Sequence, residues 1–215
     1  MFNFFVINRV MGRRSDHTAD ELRQLLIECG HALIAERGFA KFSGREAARR
    51  AGYSVGTLYN VFGSLDGYFI AINSHTFRLW TAWLETVLKK APDDPASRIE
   101  ALVRAYFDFA SNNRNAWMAI YDHRIDRSIE IPAEDTWARE ALTGVIDREV
   151  SQMLTFGSGS EGRRLVRSLI ATVHGHCALW LSGSYALMEE ENPAEQALAR
   201  VLEVLTSHAS FDVPR

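Results

Sequence analysis

Three side chains late in the chain invite a metal reading: His174, His176 and Cys177. Their i, i+2, i+3 spacing works against it. On a helix His176 points well away from the other two, and His174 with Cys177 makes two ligands where a site needs more. A core histidine beside a core thiol is the simpler expectation. The run "GSGSEG" at 157–162 follows no strand and lacks the lysine of a phosphate-binding loop, so it reads as a connection. No GxSxG elbow occurs. Asp122-His123 and the three glutamates at 189–191 read as solvated surface. Nothing here asks to be a catalyst, and neither a metal nor a cofactor is expected. The chemistry that remains is in "SVGTLYNVF", Ser54 to Phe62, which carries hydroxyl, amide and methyl groups and no charge. Such groups bind by hydrogen bonds and contact.

The bounds are those of an ordinary globular protein. The chain has 215 residues, 47% apolar and 24% charged, enough for one large domain or two small ones. Two cysteines, Cys29 and Cys177, make no disulfide framework and are expected as buried thiols in a reducing, cytoplasmic setting. No apolar run is long enough to span a bilayer, and "MFNFFVINRV" lacks the basic start of a signal peptide. Met11 opens a more ordinary beginning, so residues 1–17 are expected as a disordered extension. The net charge of -3 argues against a simple nucleic-acid coat. It is uneven: residues 1–75 hold nine Lys/Arg and seven Asp/Glu (+2), residues 76–215 fifteen and twenty (-5). A mildly basic head on an acidic body follows.

The elements that would position these groups are helices. Leu22, Leu25, Leu26, Cys29, Leu33 and Ile34 form a helical stripe that Gly38 ends. Ser43 with Glu46 reads as a capping box before "GREAARRA". Ser54 and Ser64 cap the next two helices. Further segments run near 96–112, 114–124, 133–154, 162–188 and 193–208, and no alternating strand pattern or internal repeat interrupts them. The expected fold is all-α with about nine helices. It has a three-helix head at 18–72 and a helical bundle at 73–215, joined by one long shared helix. Tyr68, Phe69 and Ile72 in that helix would close the head. Leu79, Trp80, Trp83, Leu84 and Val87 would enter the bundle.

The segment "IAERGFAKFSGREAARRAGYSVGTLYNVFGSLDGYF" resembles the N-terminal domain of the TetR family of transcriptional regulators. The carriers are "AERGF", the capped short helix with "AA", "AG" followed by serine, and "GTLY" with Phe62 three residues later. The physics agrees. Two short helices joined by "GYS" make a helix-turn-helix, with Leu58 and Phe62 facing Leu26, Leu33 and Ile34. Ser43, Arg45, Ser54, Val55, Gly56, Thr57, Tyr59 and Asn60 are then the candidate DNA-binding residues. Asn60 suits adenine and the Val55 methyls suit thymine. Thr57 and Tyr59 offer hydroxyls to phosphates, and the helix starts at Ser43 and Ser54 offer free N–H groups. Arg13, Arg14, Arg45, Arg49 and Arg50 would supply charge. Two positions depart from the family, which commonly has lysine where this chain has Val55 and Leu65.

The second part, with "AYFDFASNNRNAWMAIYDHRI" and "TVHGHCALWLSG", is similar to the C-terminal domain of one TetR subgroup. The resemblance implies a small-effector site and dimerisation through the last two helices. Aromatic density supports an apolar or aromatic effector held by Phe107, Trp117, Tyr121, His174 and Trp180. Two stripes suggest the dimer face: Val166, Ile170, Val173 and Cys177, then Leu198, Val201, Leu202 and Leu205. The implied function is a homodimeric repressor on a palindromic DNA operator, released by its effector, with no membrane partner. The rival reading is a helical small-molecule-binding or enzymatic protein with a vestigial DNA-binding head.

Overall fold

The computed structural model describes residues 17–126, 128–154 and 159–210. Arg13, Arg14 and the Met11 start lie outside them, as does part of the glycine-rich run at 157–162. Among the described residues the fold is helical throughout. α1 spans Ala19–Arg37, then come a 3-10 turn at Phe39–Lys41, α2 (Gly44–Arg50), α3 (Val55–Phe62) and α4 (Leu65–Leu88). The body continues with α5 (Pro95–Asn112), α6 (Arg114–Asp122), α7 (Ala133–Ser151), α8 (Ser160–Leu181), α9 (Ser184–Leu187) and α10 (Pro193–Ser210). The helix expected over 162–188 is two, because Gly183 adopts φ 81°, a left-handed conformation that ends α8.

Caps fix the starts. Thr18 and Glu21 exchange both bonds of a capping box at α1, which the sequence reading did not name. At α2 only half of the expected box forms. Ser43 accepts from the Glu46 N–H, but the Glu46 carboxylate turns to Arg49 at 2.8 Å and Arg50 at 3.2 Å. An ion pair to guanidinium outcompetes one exposed backbone N–H.

Two apolar clusters form. The head core holds Leu26, Leu33, Ile34, Ala47, Ala48, Leu58, Tyr68, Phe69 and Ile72. The Tyr68 hydroxyl donates to the Leu26 carbonyl and ties α4 to α1. The body core starts on α4 at Phe77 and continues through Trp80, Leu84 and Leu88. Trp80 stacks on Phe109 with rings 5.0 Å apart and 2° from parallel. Leu79, expected inside, is exposed, one position off the buried stripe. Cys177 is buried, whereas Cys29, also expected buried, is half-exposed on α1.

Candidate functional site

Helix-turn-helix geometry is set by three short-range features. Gly52 takes φ 83°, which a residue with a Cβ rarely adopts, and so turns the chain between α2 and α3. Ser54 caps α3 by accepting from the Thr57 N–H at 3.3 Å. Leu58 is wholly buried and anchors the helix to the head. Its opposite side is open: Ser54, Gly56, Tyr59 and Asn60 are exposed, while Val55 and Thr57 are half-buried. Phe62 is half-buried against Tyr68, with the Arg23 guanidinium 5.1 Å above its ring.

The charge around this face differs from the expectation. Arg50 is held by Glu36 at 2.7 Å and by Glu46 at 3.2 Å, and Arg49 by Glu46. The Arg49 and Arg50 hydrogen bonds in turn hold the Glu46 carboxyl well down, to about 2. Arg45 is exposed and forms no ion pair with a described residue. Lys41, in the 3-10 turn, has the same character and was not among the sequence candidates. Another missed contact is His17 Nδ1 to the Tyr53 hydroxyl at 3.0 Å, which seats the start of the described chain on the helix-turn-helix turn. Neither residue had a sequence signal beyond its type.

In the body the aromatic candidates divide. Trp117 and Tyr121 on α6 pack on His174 of α8, with ring centroids 5.0 and 4.1 Å away. His174 Nδ1 also meets the Tyr106 hydroxyl at 3.1 Å. Burial lowers the His174 pKa, favouring the neutral ring. Phe107 and Trp180 form a separate pair at 5.8 Å. None of these five lines the apolar cavity of ≈ 40 Å³ between α4, α5, α7, α8 and α10. That cavity is walled by aliphatic side chains, with Tyr106 the aromatic residue in its lining. Ile170, Val173 and Val201, assigned to a dimer face from sequence, line it too.

The expected dimer stripes face inward. Val166, Val173, Cys177, Val201 and Leu205 are buried within the protomer, and Ile170, Leu198 and Leu202 pack on the same core. One stripe cannot serve both a core and a partner, so an interface on these helices has only their other faces. On α8 that face carries Arg163, Arg164, Arg167, Ser168 and Ala171, then Leu179 and Trp180 and, beyond the helix, Leu187 and Met188, all exposed. His176 spends its Nδ1 on the Thr172 carbonyl at 2.9 Å, and its ring lies against Tyr185 at 5.9 Å.

α6 joins the two parts. Ala119 is buried in the head core. Asn115 Nδ2 donates to the Ala35 carbonyl at 2.9 Å, and His123 Nε2 meets Asp66 Oδ1 at 2.9 Å. Arg23 on α1 and Glu134 on α7 add an ion pair across the joint. Nearby, the His31 and His75 rings of α1 and α4 meet edge-on at 5.0 Å, and His31 Nε2 is buried without a partner.

Known proteins share this arrangement. The model of "Bacterial regulatory proteins, tetR family" matches residues 26–72, and that of "Tetracyclin repressor-like, C-terminal domain" matches 99–205. The HTH-type transcriptional activator FasR of Mycolicibacterium smegmatis is 26% identical over 167 residues, 76% of this chain and 74% of that protein. The HTH-type transcriptional regulator BetI of Burkholderia ambifaria is 27% identical over 168 residues, 76% and 82% of the two chains. Among solved structures, a Rhodococcus sp. RHA1 protein of unknown function superposes with TM-score 0.70 at 21% identity, covering 93% of this chain and all of that one. RolR bound to resorcinol gives 0.66 at 19% identity, covering 92% and 97%. With both of its parts matched and a helix-turn-helix exposed at its head, this chain belongs to the TetR family of bacterial DNA-binding transcriptional regulators, proteins that act by binding rather than by catalysis.

Proposed function

We propose that the protein is a homodimeric repressor whose hold on DNA is released by a small apolar or aromatic effector. One observation carries the ligand response: α6 packs Trp117 and Tyr121 on His174 while its Ala119 lies in the head core. A molecule that displaces those rings acts on the head through the same short helix. The ring cluster adjoins the ≈ 40 Å³ cavity only through Tyr106, and that cavity is smaller than such a molecule, so binding selects a more open body. An effector that prefers the open body shifts the population only by its difference in affinity for the two states.

Two copies would pair through the outer faces of α8 and α10, with Leu179, Leu187 and Met188 at the seam. Their α3 helices would enter successive major grooves about 34 Å apart on a palindromic site. Ser43, Arg45, Ser54, Val55, Gly56, Thr57, Tyr59 and Asn60 would meet the duplex, Arg45 and Lys41 supplying charge. A cytoplasmic location follows from this role. The name of the relative FasR, an activator, supplies the opposite reading of sign.

Fluorescence anisotropy with DNA from the protein's own promoter region tests the proposal, alongside a reporter carrying that promoter. Sequence-selective binding with raised reporter output on deletion of the protein supports a repressor. Lowered output makes it an activator. Absence of selective binding, or of any salt dependence, favours a ligand-binding protein with a vestigial head.

A further inference from the structure

A second cavity, of ≈ 120 Å³, lies where the middle of α4 meets the first turns of α7. It is three times the size of the apolar one and differs in chemistry. Asn73, Ser74 and Asp135 line it, and all three are more than nine-tenths buried. The Asn73 Oδ1 has no hydrogen-bond partner. A buried carbonyl oxygen of this kind is a standing cost that a bound donor would remove. The Ser74 hydroxyl has two acceptors for its one proton, the Ile70 carbonyl at 2.9 Å and the Asp135 carboxyl. Asp135 forms no ion pair with a described residue; burial pushes its carboxyl up, with the Ser74 hydrogen bond and the charges of Arg23 and Arg78 opposing. Two acceptors, the Asn73 Oδ1 and the Asp135 carboxyl, therefore converge at the buried end. Arg139 lines the same cavity from an exposed position, its guanidinium 5.1 Å from the centre of the Phe77 ring.

The charged residues of the lining are thus one carboxylate and one guanidinium, one turn of α7 apart. A simple amine would leave Arg139 unused. A simple anion would meet Asp135 and the Asn73 carbonyl oxygen. A ligand carrying both charges satisfies both ends. We propose that this cavity is a second ligand site, for a small zwitterion of the amino-acid type. Its primary ammonium sits on Asn73 and Asp135, and its carboxylate pairs with Arg139. The site is separate from the apolar cavity and does not depend on the repressor reading. Asp135 adjoins Glu134, which pairs with Arg23 of α1, so an occupant sits beside a link between body and head.

Isothermal titration calorimetry on the full chain, without DNA, tests the site. The probes are glycine, L-alanine and L-serine, with ethylamine and propionate as the decarboxylated and deaminated forms of alanine. The expected result is that at least one amino acid binds, and that both truncated forms bind roughly tenfold more weakly or worse. Asp135→Asn and Asn73→Leu should each cost the amino acid roughly tenfold or more. Arg139→Gln, at an exposed position, should bring L-alanine down to the level of ethylamine and keeps the test open if a buried variant fails to fold. Absence of heat with all three amino acids at millimolar concentration overturns the proposal. So does binding that survives Asp135→Asn and Arg139→Gln in folded protein.

Discussion

Val55 opens α3 with an isopropyl group where a cation would reach a phosphate. Val55→Lys should tighten binding to promoter DNA and steepen the dependence of log K on log salt by about 0.9. Anisotropy titrations at several salt concentrations check this. An unchanged slope would mean that α3 does not lie against the duplex as proposed. The side of α3 that each residue takes was legible from spacing alone: Leu58 is wholly buried and Asn60 exposed. Which arginines stand free was not. Arg50 is claimed by Glu36, fourteen residues earlier and on another helix, a pairing that only the tertiary fold creates.

Helix pairs show the same division between what a pattern states and what it leaves out. The periodic stripes of α8 and α10 identified a buried face, and the structure makes that face core. Periodicity says that a face is covered but not by what. Likewise nothing in the sequence joins α5 to α7 through Arg98 and Glu149, whose pair closes at 2.6 Å with the Glu149 side chain 1% exposed. Burial pushes the Glu149 carboxyl up, but its bonds to Arg98 and Arg148 outweigh that and leave it below its ordinary value. Glu149→Gln removes charge-assisted bonds and leaves the partly exposed Arg98 and Arg148 without that partner, so it should cost about 2 kcal/mol, measured by urea unfolding at neutral pH. A carboxyl depressed in the fold stabilises fully above its unfolded value, about 4.3, and less as pH falls below it. The difference in stability between wild type and variant should therefore shrink toward acid pH.

At the scale of the whole molecule, two histidines beside the joint between head and body add to the response to acid. Burial, then the charge of His75, lowers His31 from 6.5 to about 4. His75 is lowered as well, by burial and Arg78, with Glu28 opposing. A histidine kept neutral in the fold loses ground to the unfolded chain, which protonates first. His31 should thus draw stability away as pH falls from about 6.5 to about 4. Thermal melts across that range check it, and His31→Gln should flatten the profile. The α6 helix carries a different consequence. Ala119 fills the head core and Asn115 holds the Ala35 carbonyl, so the head borrows a wall from a helix forty residues beyond its matched segment. The unit of recognition and the unit of folding do not coincide. A fragment ending at residue 90 should melt well below the intact chain, whereas the intact chain should show one calorimetric transition. Grafting this reading head onto a relative's body would then require transplanting α6 as well, and the regulator's specificity cannot be exchanged by swapping its first seventy residues.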